Sequence, residues 1–271
     1  MKAGFVDRME RAAKGRRAKI GIGVNGGGAD LLAGIEVASE YAKIVIVGDP
    51  GHGHDCDIEP ELELIRTEDP ASALVNLLEK GEIDGAVRGN LSATKVMKNI
   101  AKTFDVRVRR LSLLALPEWS FFLAPVGIDE GDSISNRLNL AVLGAEYLKA
   151  MDIDPKVSIL SGGRMEDLGR SDRVDRTLAE AELVARLARD AGVRAEHRGI
   201  LIETCRGDDL IVAPDGISGN LIFRTLMLLS GAKGFGAPVI MDPVFVDSSR
   251  ARKSFVGPIM LASALVAMKG R

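Results

Sequence analysis

Short apolar runs of β-prone residues alternate along this chain with longer segments in which apolar residues recur at helical spacing. Residues 18–24 and 43–49 are predicted strands on either side of a helical segment at 29–42. The same order continues with a helix at 69–81 and a strand at 83–89. Strands separated by helices of this length indicate βαβ units, so the sequence predicts an α/β fold with mainly parallel sheets.

The alternation is interrupted once, near the middle of the chain. After a helix predicted at 92–104, two strand-like runs at 109–116 and 119–128 follow each other with no helix between them. We place a domain crossover there, and expect a first domain of residues 1–120 plus 247–271 and an inserted second domain of residues 121–246. In the second half the sequence predicts helices at 133–150, at 173–192, after Asn220 and at 255–268, and strands at 156–162, near 199–204 and at 209–214.

Composition narrows the classes of function. The 271 residues include 36 Lys and Arg against 38 Asp and Glu, a net charge of -2, so no broad basic surface for nucleic acid is expected. No apolar run is long enough to cross a bilayer, and the first residues do not resemble a signal peptide. The two cysteines show no paired spacing. We therefore expect a cytoplasmic protein that contacts neither nucleic acid nor membrane.

The segment APDGISGNLIFRTL, residues 213–226, carries the clearest sign of a ligand site. An apolar strand runs into a glycine-containing turn ahead of an apolar helix, and open parallel sheets bind ligands at this end of their strands. Gly216 and Gly219 let the backbone turn sharply and approach a ligand, and N–H groups at a helix start attract anions. An ordinary turn with Ser218 or Asn220 as the helix cap is the alternative interpretation.

Four segments together resemble a known superfamily. DLIVAPDGISGN is similar to the D-x-x-x-x-P-D-x-x-x-G-N segment of the phosphate acetyl/butyryl transferases, and IDGAVRGNLSATKVM resembles their D-G-x-V-S-G-x-x-x-T-T loop. DIDPKVSILSGG resembles their G-I-x-P-x-V-A-x-L-S, and DPVFVDSSRARKSFVGPIML their P-V-N-D-L-S-R-G stretch. Within this superfamily the chain is most similar to the archaeal MtxX family, also called methanogenesis marker protein 4, which is customarily labelled a methyltransferase subunit.

The resemblance implies a fold and a site. It implies two three-layer α/β/α domains, like those of phosphotransacetylase and isocitrate dehydrogenase, with an interdomain cleft that holds a phosphorylated or anionic small molecule. It also implies a homodimer, with Arg250 as the principal anion clamp because a guanidinium presents a fork of donors to phosphate. The implied substrate-binding residues are Arg88, Gly89, Ser92, Thr94, Ser161, Gly162, Asp215, Ser218, Gly219, Asn220, Ser249 and Arg250.

Each of these residues also has a structural interpretation. Arg88 and Arg250 are compatible with solvated surface arginines, and Ser161 with Gly162 can simply end a strand. Asp215 is better suited to orienting the turn or capping the helix than to acting as a base. The arginine- and acid-rich segment 163–173 is either a phosphate loop or a solvated charged loop, and we favour the solvated loop.

Departures from the superfamily pattern bear on the chemistry. The acetyltransferases have an Asp before their last helix, which is thought to act as base for the coenzyme A thiol, and Ser254 stands at that place here. A serine cannot take that proton without a base of its own. Arg88 replaces a family serine, and no D-C-x-x-N-P segment is present. Arg250 and Ser254 remain the catalytic candidates, and thiol-dependent acyl transfer is not expected.

Two other ligand patterns carry less weight. Gly21-x-Gly23-x-x-Gly26 has the form of a dinucleotide or methyl-donor loop, as in an NAD-dependent dehydrogenase or an S-adenosylmethionine methyltransferase, but its first two glycines fall inside the predicted strand. His52 and His54 stand close together in a glycine-rich segment, and no metal site is expected from them.

The resemblance thus implies a transferase of the MtxX type in methanogen metabolism, acting in methyl or phosphate-acyl transfer. Coenzyme A and S-adenosylmethionine are the candidate cofactors. The alternative is a non-catalytic binding or assembly subunit of a methyl-transfer complex.

Overall fold

The computed structural model describes residues 4–51, 62–249 and 254–270. It divides into two compact units: unit 1 is Met1–Val108 with Phe235–Arg271, and unit 2 is Arg109–Gly234. The boundaries expected from the sequence, after residues 120 and 246, would cut the strands Trp119–Ala124 and Val244–Asp247. Both strands pair with strands of their own unit. The division after Gly234 falls inside the strand Lys233–Pro238, of which the last four residues belong to unit 1.

Unit 1 alternates strands and helices up to residue 103 and regains two strands and a helix from the end of the chain. Its elements are α1 (Phe5–Arg16), β1 (Lys19–Asn25), α2 (Gly28–Glu36), a 3-10 turn (Val37–Glu40), β2 (Lys43–Asp49), β3 (Leu62–Ile65), α3 (Pro70–Glu79), β4 (Gly85–Val87), α4 (Ala93–Thr103), β10 (Lys233–Pro238), β11 (Val244–Asp247) and α8 (Val256–Lys269).

The sheet of unit 1 has the order β3-β2-β1-β4-β11-β10 and is parallel except for β10, which runs antiparallel to β11. Val45 and Val47 of β2 pack with Leu74 of α3 and Ile100 of α4 on one face. On the other face α8 packs against α1, β1, β4 and β11. Ten consecutive residues of α8, Pro258 to Ala267, are buried, which is why the end of the chain belongs to this core.

Unit 2 begins with the two strands that interrupt the alternation. Its elements are β5 (Ser112–Leu116), β6 (Trp119–Ala124), α5 (Ile134–Lys149), β7 (Lys156–Leu160), a 3-10 turn (Met165–Asp167), α6 (Asp172–Asp190), β8 (Arg194–Gly199), a 3-10 turn (Ile202–Cys205), β9 (Leu210–Val212) and α7 (Gly216–Leu228).

The sheet of unit 2 has the order β5-β6-β9-β7-β8. Only the β5–β6 hairpin is antiparallel. Helices α5 and α6 pack on one face, and α7 covers the other, where Phe223 and Leu226 rest against Phe121 and Ile211. The predicted α/β class with three-layer packing and mainly parallel sheets is therefore confirmed in each unit. No helix within the described ranges is both long and apolar enough to span a bilayer.

Two predicted elements are displaced in the structure. The strand expected near 199–204 is β8, which ends at Gly199, and a 3-10 turn occupies Ile202–Cys205. The prediction was wrong because β8, Arg-Ala-Glu-His-Arg-Gly, is an edge strand with few apolar side chains. The helix expected after Asn220 begins at Gly216, because Asp215 caps it. The sequence also left α1, β3, β10 and β11 unpredicted.

Candidate functional site

The carboxyl ends of three parallel strands meet at one edge of the unit 1 sheet. Strands β1, β4 and β11 are neighbours and run in the same direction, so the segments that follow Asn25, Val87 and Asp247 lie side by side. Open α/β sheets use this edge for ligands. Four predicted site residues, Arg88, Gly89, Ser92 and Thr94, and also Ser249, fall in these segments.

Arg88 is buried and paired rather than presented to solvent. Its guanidinium donates from Nε to the Oδ1 of Asp247 and from Nη1 to the carbonyl oxygen of Leu91, the latter over 2.6 Å. Arg88 is 5% exposed and Asp247 7%. The positive charge that Arg88 adds relative to the family serine is therefore largely cancelled by the Asp247 carboxylate. Both residues hold the start of the β4–α4 loop against the end of β11.

Gly89 and Ser248 complete that connection. Gly89 has φ of 64°, and a Cβ at this position would stand 1.9 Å from the carbonyl oxygen of Gly23. Only glycine suits so close an approach in the left-handed region. Ser248 is buried and donates its hydroxyl hydrogen to the Gly89 carbonyl over 3.0 Å. The sequence had pointed to the exposed Ser249, one residue later, and missed Ser248, for which burial is the only signal.

Asn90 joins the β4–α4 loop to the loop between β1 and α2. Its Oδ1 accepts from the Asn25 N–H at 2.8 Å, and its Nδ2 donates to the carbonyls of Asn25 and Gly26. Helix α2 begins after Gly27, which has no side chain to cap it. The starts of α2 and α4 are thereby tied together at one edge.

At this edge, the first turn of α4 contains polar side chains that make no hydrogen bond to a described residue. Its N-cap Ser92 makes no side-chain cap, and Ser92 and Thr94 are exposed, with neither hydroxyl bonded to a described residue. Lys95 is paired instead, 3.0 Å from Asp69. The pKa of Asp69 is lowered, first by this bond to Lys95 and then by the Ser72 N–H. An anion at the α4 start would meet hydroxyls and helix N–H groups.

The glycine pattern of β1 serves packing. Gly21 and Gly23 lie inside the strand and are buried, as the sequence predicted for their position. A Cβ at Gly21 would stand 2.6 Å from Ile83 Cδ1, and one at Gly23 would stand 2.9 Å from the Arg88 carbonyl oxygen. Neighbouring protein atoms explain why both positions are glycine. The first two glycines of the pattern therefore give no support to a dinucleotide or methyl-donor loop.

In unit 2 the side chains of Asp215 and Asn220, in the turn after β9, are hydrogen-bonded within the unit. Asp215 accepts from the Ser218 N–H at 2.7 Å, so its interpretation as the cap of α7 is confirmed. Asn220 donates from Nδ2 to the Val126 carbonyl oxygen over 2.9 Å. A carboxylate at the helix start already offsets the dipole that would attract an external anion.

The glycines of this turn admit the protein's own backbone. A Cβ at Gly216 would stand 1.8 Å from the carbonyl oxygen of Gly127, and one at Gly219 would stand 1.8 Å from that of Pro125. The expected close approach of a ligand is thus, at both glycines, a close approach of the segment that follows β6. Of the predicted groups here, the hydroxyl of Ser218 has no described partner.

Ser161 and Gly162 follow β7, which is the parallel neighbour of β9. Ser161 is buried, and its Oγ lies 2.9 Å from Nε2 of His197 on β8. The other ring nitrogen, Nδ1, lies 3.2 Å from the Oε2 of Glu182 on α6. The Gly162 N–H donates to Thr177 Oγ1 over 3.0 Å. The sequence missed His197 because β8 was displaced in the prediction, and it missed Glu182 because no local pattern links a residue of the predicted helix 173–192 to that strand.

The charged segment 163–173 bonds mainly to itself. Asp167 accepts from the Arg164 N–H at 2.9 Å and pairs with Arg170 at 2.8 Å, and Asp175 accepts from the Gly169 N–H. Most of its residues are exposed. This pattern matches the solvated-loop interpretation.

The structure says little about the other residues that the sequence singled out. Arg250, His52 and His54 lie outside the described residues. Ser254 is exposed, and its Oγ accepts from the Val256 N–H at 3.4 Å, a local contact at the start of α8. Within the part of the chain that the structure describes, no group of three metal-ligating side chains comes together.

Comparison with known proteins finds relatives that match nearly the whole chain. No family model matches it. A protein of Methanosarcina acetivorans named "Putative methyltransferase mtx subunit X" is 45% identical over 268 residues, covering 96% of this chain and 95% of the relative. A protein of the same name from Methanosarcina mazei is 43% identical with the same coverage.

Solved structures agree on the fold. A branched-chain phosphotransacylase from Enterococcus faecalis is similar with a TM-score of 0.72 at 18% identity, covering 92% of this chain and 99% of that one. A phosphotransacetylase from Streptococcus pyogenes gives a TM-score of 0.70 at 16% identity, with 98% and 100% covered. At such identities the likeness concerns the fold. The Methanosarcina proteins, in contrast, are 43–45% identical to this chain over almost its entire length. This identity shows that the chain belongs to the MtxX family.

Proposed function

We propose that this protein is a transferase of the MtxX type, a subunit of a methyl-transfer system, which binds a phosphorylated or otherwise anionic small molecule at the start of α4. The family relatives named as methyltransferase subunits support the first part. The phosphotransacylase fold supports the second, since the structurally similar proteins are named for phosphate-dependent acyl transfer.

The observation that carries the proposal is the difference between two helix starts. Helix α7 is capped by Asp215, whereas α4 begins without a side-chain cap and presents the hydroxyls of Ser92 and Thr94, which make no hydrogen bond to a described residue. Lys95 is paired with Asp69, and Arg88 with Asp247, so neither cation needs an anion for neutrality. The ligand would therefore be held by hydroxyls and N–H groups, with Arg250 as the candidate clamp.

Titration calorimetry tests this proposal with inorganic phosphate, acetyl phosphate, coenzyme A and S-adenosylmethionine. We expect at least one phosphate-containing compound to bind. The double variant Ser92→Ala, Thr94→Ala should weaken that binding by about 100-fold or more, because hydrogen bonds to charged groups contribute about 1.5–3 kcal/mol each. Arg250→Ala is expected to weaken the same binding.

Ser133→Ala is the matched control, because Ser133 caps α5 by accepting from the Asn136 N–H. Its loss is expected to reduce stability by about 1 kcal/mol and to leave anion affinity unchanged. Failure of all four compounds to bind the unmodified protein would contradict the anion site. Binding of S-adenosylmethionine alone, unaffected by the double variant, would move the chemistry away from α4.

A second candidate function is assembly, either as a homodimer or within a methyl-transfer complex. The observation that favours it is the outer face of α7, where Ile217, Leu221 and Leu228, with Leu229 just beyond, are 61–83% exposed. The first three recur at helical spacing and form one stripe. The only buried residues of this apolar helix are Gly216 and Gly219. Exposed apolar patches of this kind mark interaction surfaces.

Sedimentation velocity over a range of concentrations tests the homodimer. We expect the unmodified protein to sediment as a dimer and Leu221→Glu to shift it to a monomer, since a charge in an apolar interface is costly. Val37→Glu, at an equally exposed apolar residue of unit 1, is the control and should remain dimeric. Dimerisation that survives Leu221→Glu would show that α7 is not the contact.

A further inference from the structure

Three side chains from three neighbouring elements of unit 2 form a hydrogen-bonded series. Ser161 directly follows β7, His197 lies on β8, and Glu182 lies on α6. Ser161 Oγ is 2.9 Å from His197 Nε2, and His197 Nδ1 is 3.2 Å from Glu182 Oε2. Ser161 is 2% exposed and the His197 side chain 5%, whereas Glu182 reaches solvent. A hydroxyl, an imidazole and a carboxylate in this order have the geometry of an activated nucleophile, its base and the group that orients the base.

The hydrogen bonds among Ser161, His197 and Glu182 can be arranged in two ways, depending on whether His197 carries one proton or two. The Ser161 hydroxyl has one hydrogen, and it is within reach of both the Gly163 carbonyl oxygen, at 3.0 Å, and His197 Nε2. The Glu182 carboxylate only accepts, so Nδ1 carries a hydrogen in either case. When His197 is an imidazolium, Nε2 also donates and the Ser161 hydrogen is directed to Gly163. When His197 is neutral, Nε2 becomes the acceptor and the Ser161 hydrogen is directed to the imidazole.

We propose that Ser161 is a nucleophile that accepts an acyl group from a small activated ester or acyl phosphate, with His197 as its general base and Glu182 as a positioning residue. Ser161 stands where ligands bind in parallel sheets, immediately after a strand. The next residue, Gly162, is exposed. The Gly163 N–H makes no hydrogen bond to a described residue, and we assign it to the developing oxyanion.

The step balances without any further reagent. Ser161 Oγ forms a bond to the carbonyl carbon of the donor, the bond from that carbon to the leaving-group oxygen breaks, and the Ser161 proton passes to His197 Nε2. The imidazolium is stabilised by the Glu182 carboxylate and then gives the proton to the leaving group or to solvent. Water or another hydroxyl can afterwards take the acyl group, with His197 removing its proton, and Ser161 is restored.

This assignment goes beyond the anion site at α4, and a neutral reagent separates the two. We would incubate the full-length protein with p-nitrophenyl acetate, follow nitrophenolate release, and locate the acetyl group by mass spectrometry of peptides. We expect one acetyl group on Ser161, loss of that adduct in Ser161→Ala and His197→Gln, and release at least about 10-fold slower in Glu182→Gln. Loss of phosphate binding in the Ser92 and Thr94 variant should leave this acetylation intact.

The pH dependence supplies a readout that a merely structural network would lack. The charged group facing His197 is Glu182, whose Oε1 also accepts from Arg189 at 3.2 Å. We expect acetylation of Ser161 to increase with pH in the unmodified protein, because only a neutral imidazole can accept the serine proton, and this increase to be absent in His197→Gln. A rise of equal size in His197→Gln would overturn the role of the imidazole.

Ser158→Ala is the matched control. Ser158 is a fully buried serine of β7, three residues before Ser161, but its hydroxyl donates to the Asp208 carboxylate over 2.6 Å and contacts no imidazole. Its loss should leave acetylation at Ser161 unchanged. Glu182 is partly exposed to solvent, so Glu182→Gln is expected to fold. This variant therefore still tests the proposal if His197→Gln does not fold. A folded unmodified protein that gains no acetyl group on Ser161, or an adduct that persists in Ser161→Ala, would overturn the proposal.

Discussion

Replacing Asp247 by Ala is expected to lower the free energy of unfolding by about 3–5 kcal/mol, the cost of leaving a buried charge without its partner. Asp247 is the carboxylate that receives the Arg88 guanidinium, and both side chains are almost fully buried. The Leu91 carbonyl cannot replace it, because it carries no charge. The measurement is the midpoint of urea-induced unfolding, which reports the change in stability when the m-value is the same in both proteins.

The exposed pair Arg206–Glu118 provides the control. Its charged atoms are 2.8 Å apart, but both side chains are more than two-thirds solvent-accessible, so Glu118→Ala should cost about 0–1 kcal/mol. The double variant Arg88→Met, Asp247→Leu should recover much of the loss, because apolar residues of similar volume need no partner. Equal losses from Asp247→Ala and Glu118→Ala would contradict the burial of the Arg88 charge.

Replacing Gly219 by Ala is expected to destabilise the protein by about 3 kcal/mol, at the upper end of the range for overpacked sites. The new Cβ would stand 1.8 Å from the Pro125 carbonyl oxygen and 3.0 Å from its carbonyl carbon. These are backbone atoms, so no rotamer change relieves the contact, and either α7 or the segment after β6 must shift. Thermal and urea unfolding measure the loss.

Gly15→Ala is the opposite case within the same chain. Gly15 lies in the last turn of α1, and a Cβ there would meet no atom within 4 Å. Alanine should therefore raise stability by about 0.5–1 kcal/mol, since glycine loses more backbone entropy in a helix. If Gly219→Ala were as well tolerated as Gly15→Ala, the packing of α7 against the Pro125 backbone would be wrong.

Much of the fold follows from local pattern. The strand at 43–49 and the helices at 133–150 and 255–268 agree with β2, α5 and α8 to within one or two residues, because the length of an apolar segment and, for α5, the Ser133 cap are encoded locally. Strand β8 was misplaced because a polar edge strand has no such periodicity. Its alternate residues Ala195 and His197 are covered by α6, which only the tertiary arrangement supplies.

The candidate site divides in the same way. The sequence picked out the segments after β4, β7 and β9, because glycine, serine and asparagine after an apolar strand mark loops at a sheet edge. It could not assign roles within them. Arg88 was expected to meet an anion and instead pairs with Asp247, which is 159 residues away. Gly216 and Gly219 were expected to meet a ligand and instead admit the backbone at Gly127 and Pro125.

By itself, the sequence determined the α/β class, the alternation of strands and helices, and the family to which the chain belongs, because periodicity and motif order are properties of the chain alone. Tertiary structure decided which polar groups are already satisfied and which remain open to a ligand. Hydrogen-bonding capacity is shared among residues far apart in sequence, such as Ser161 and His197, and is settled only where the chain brings them together.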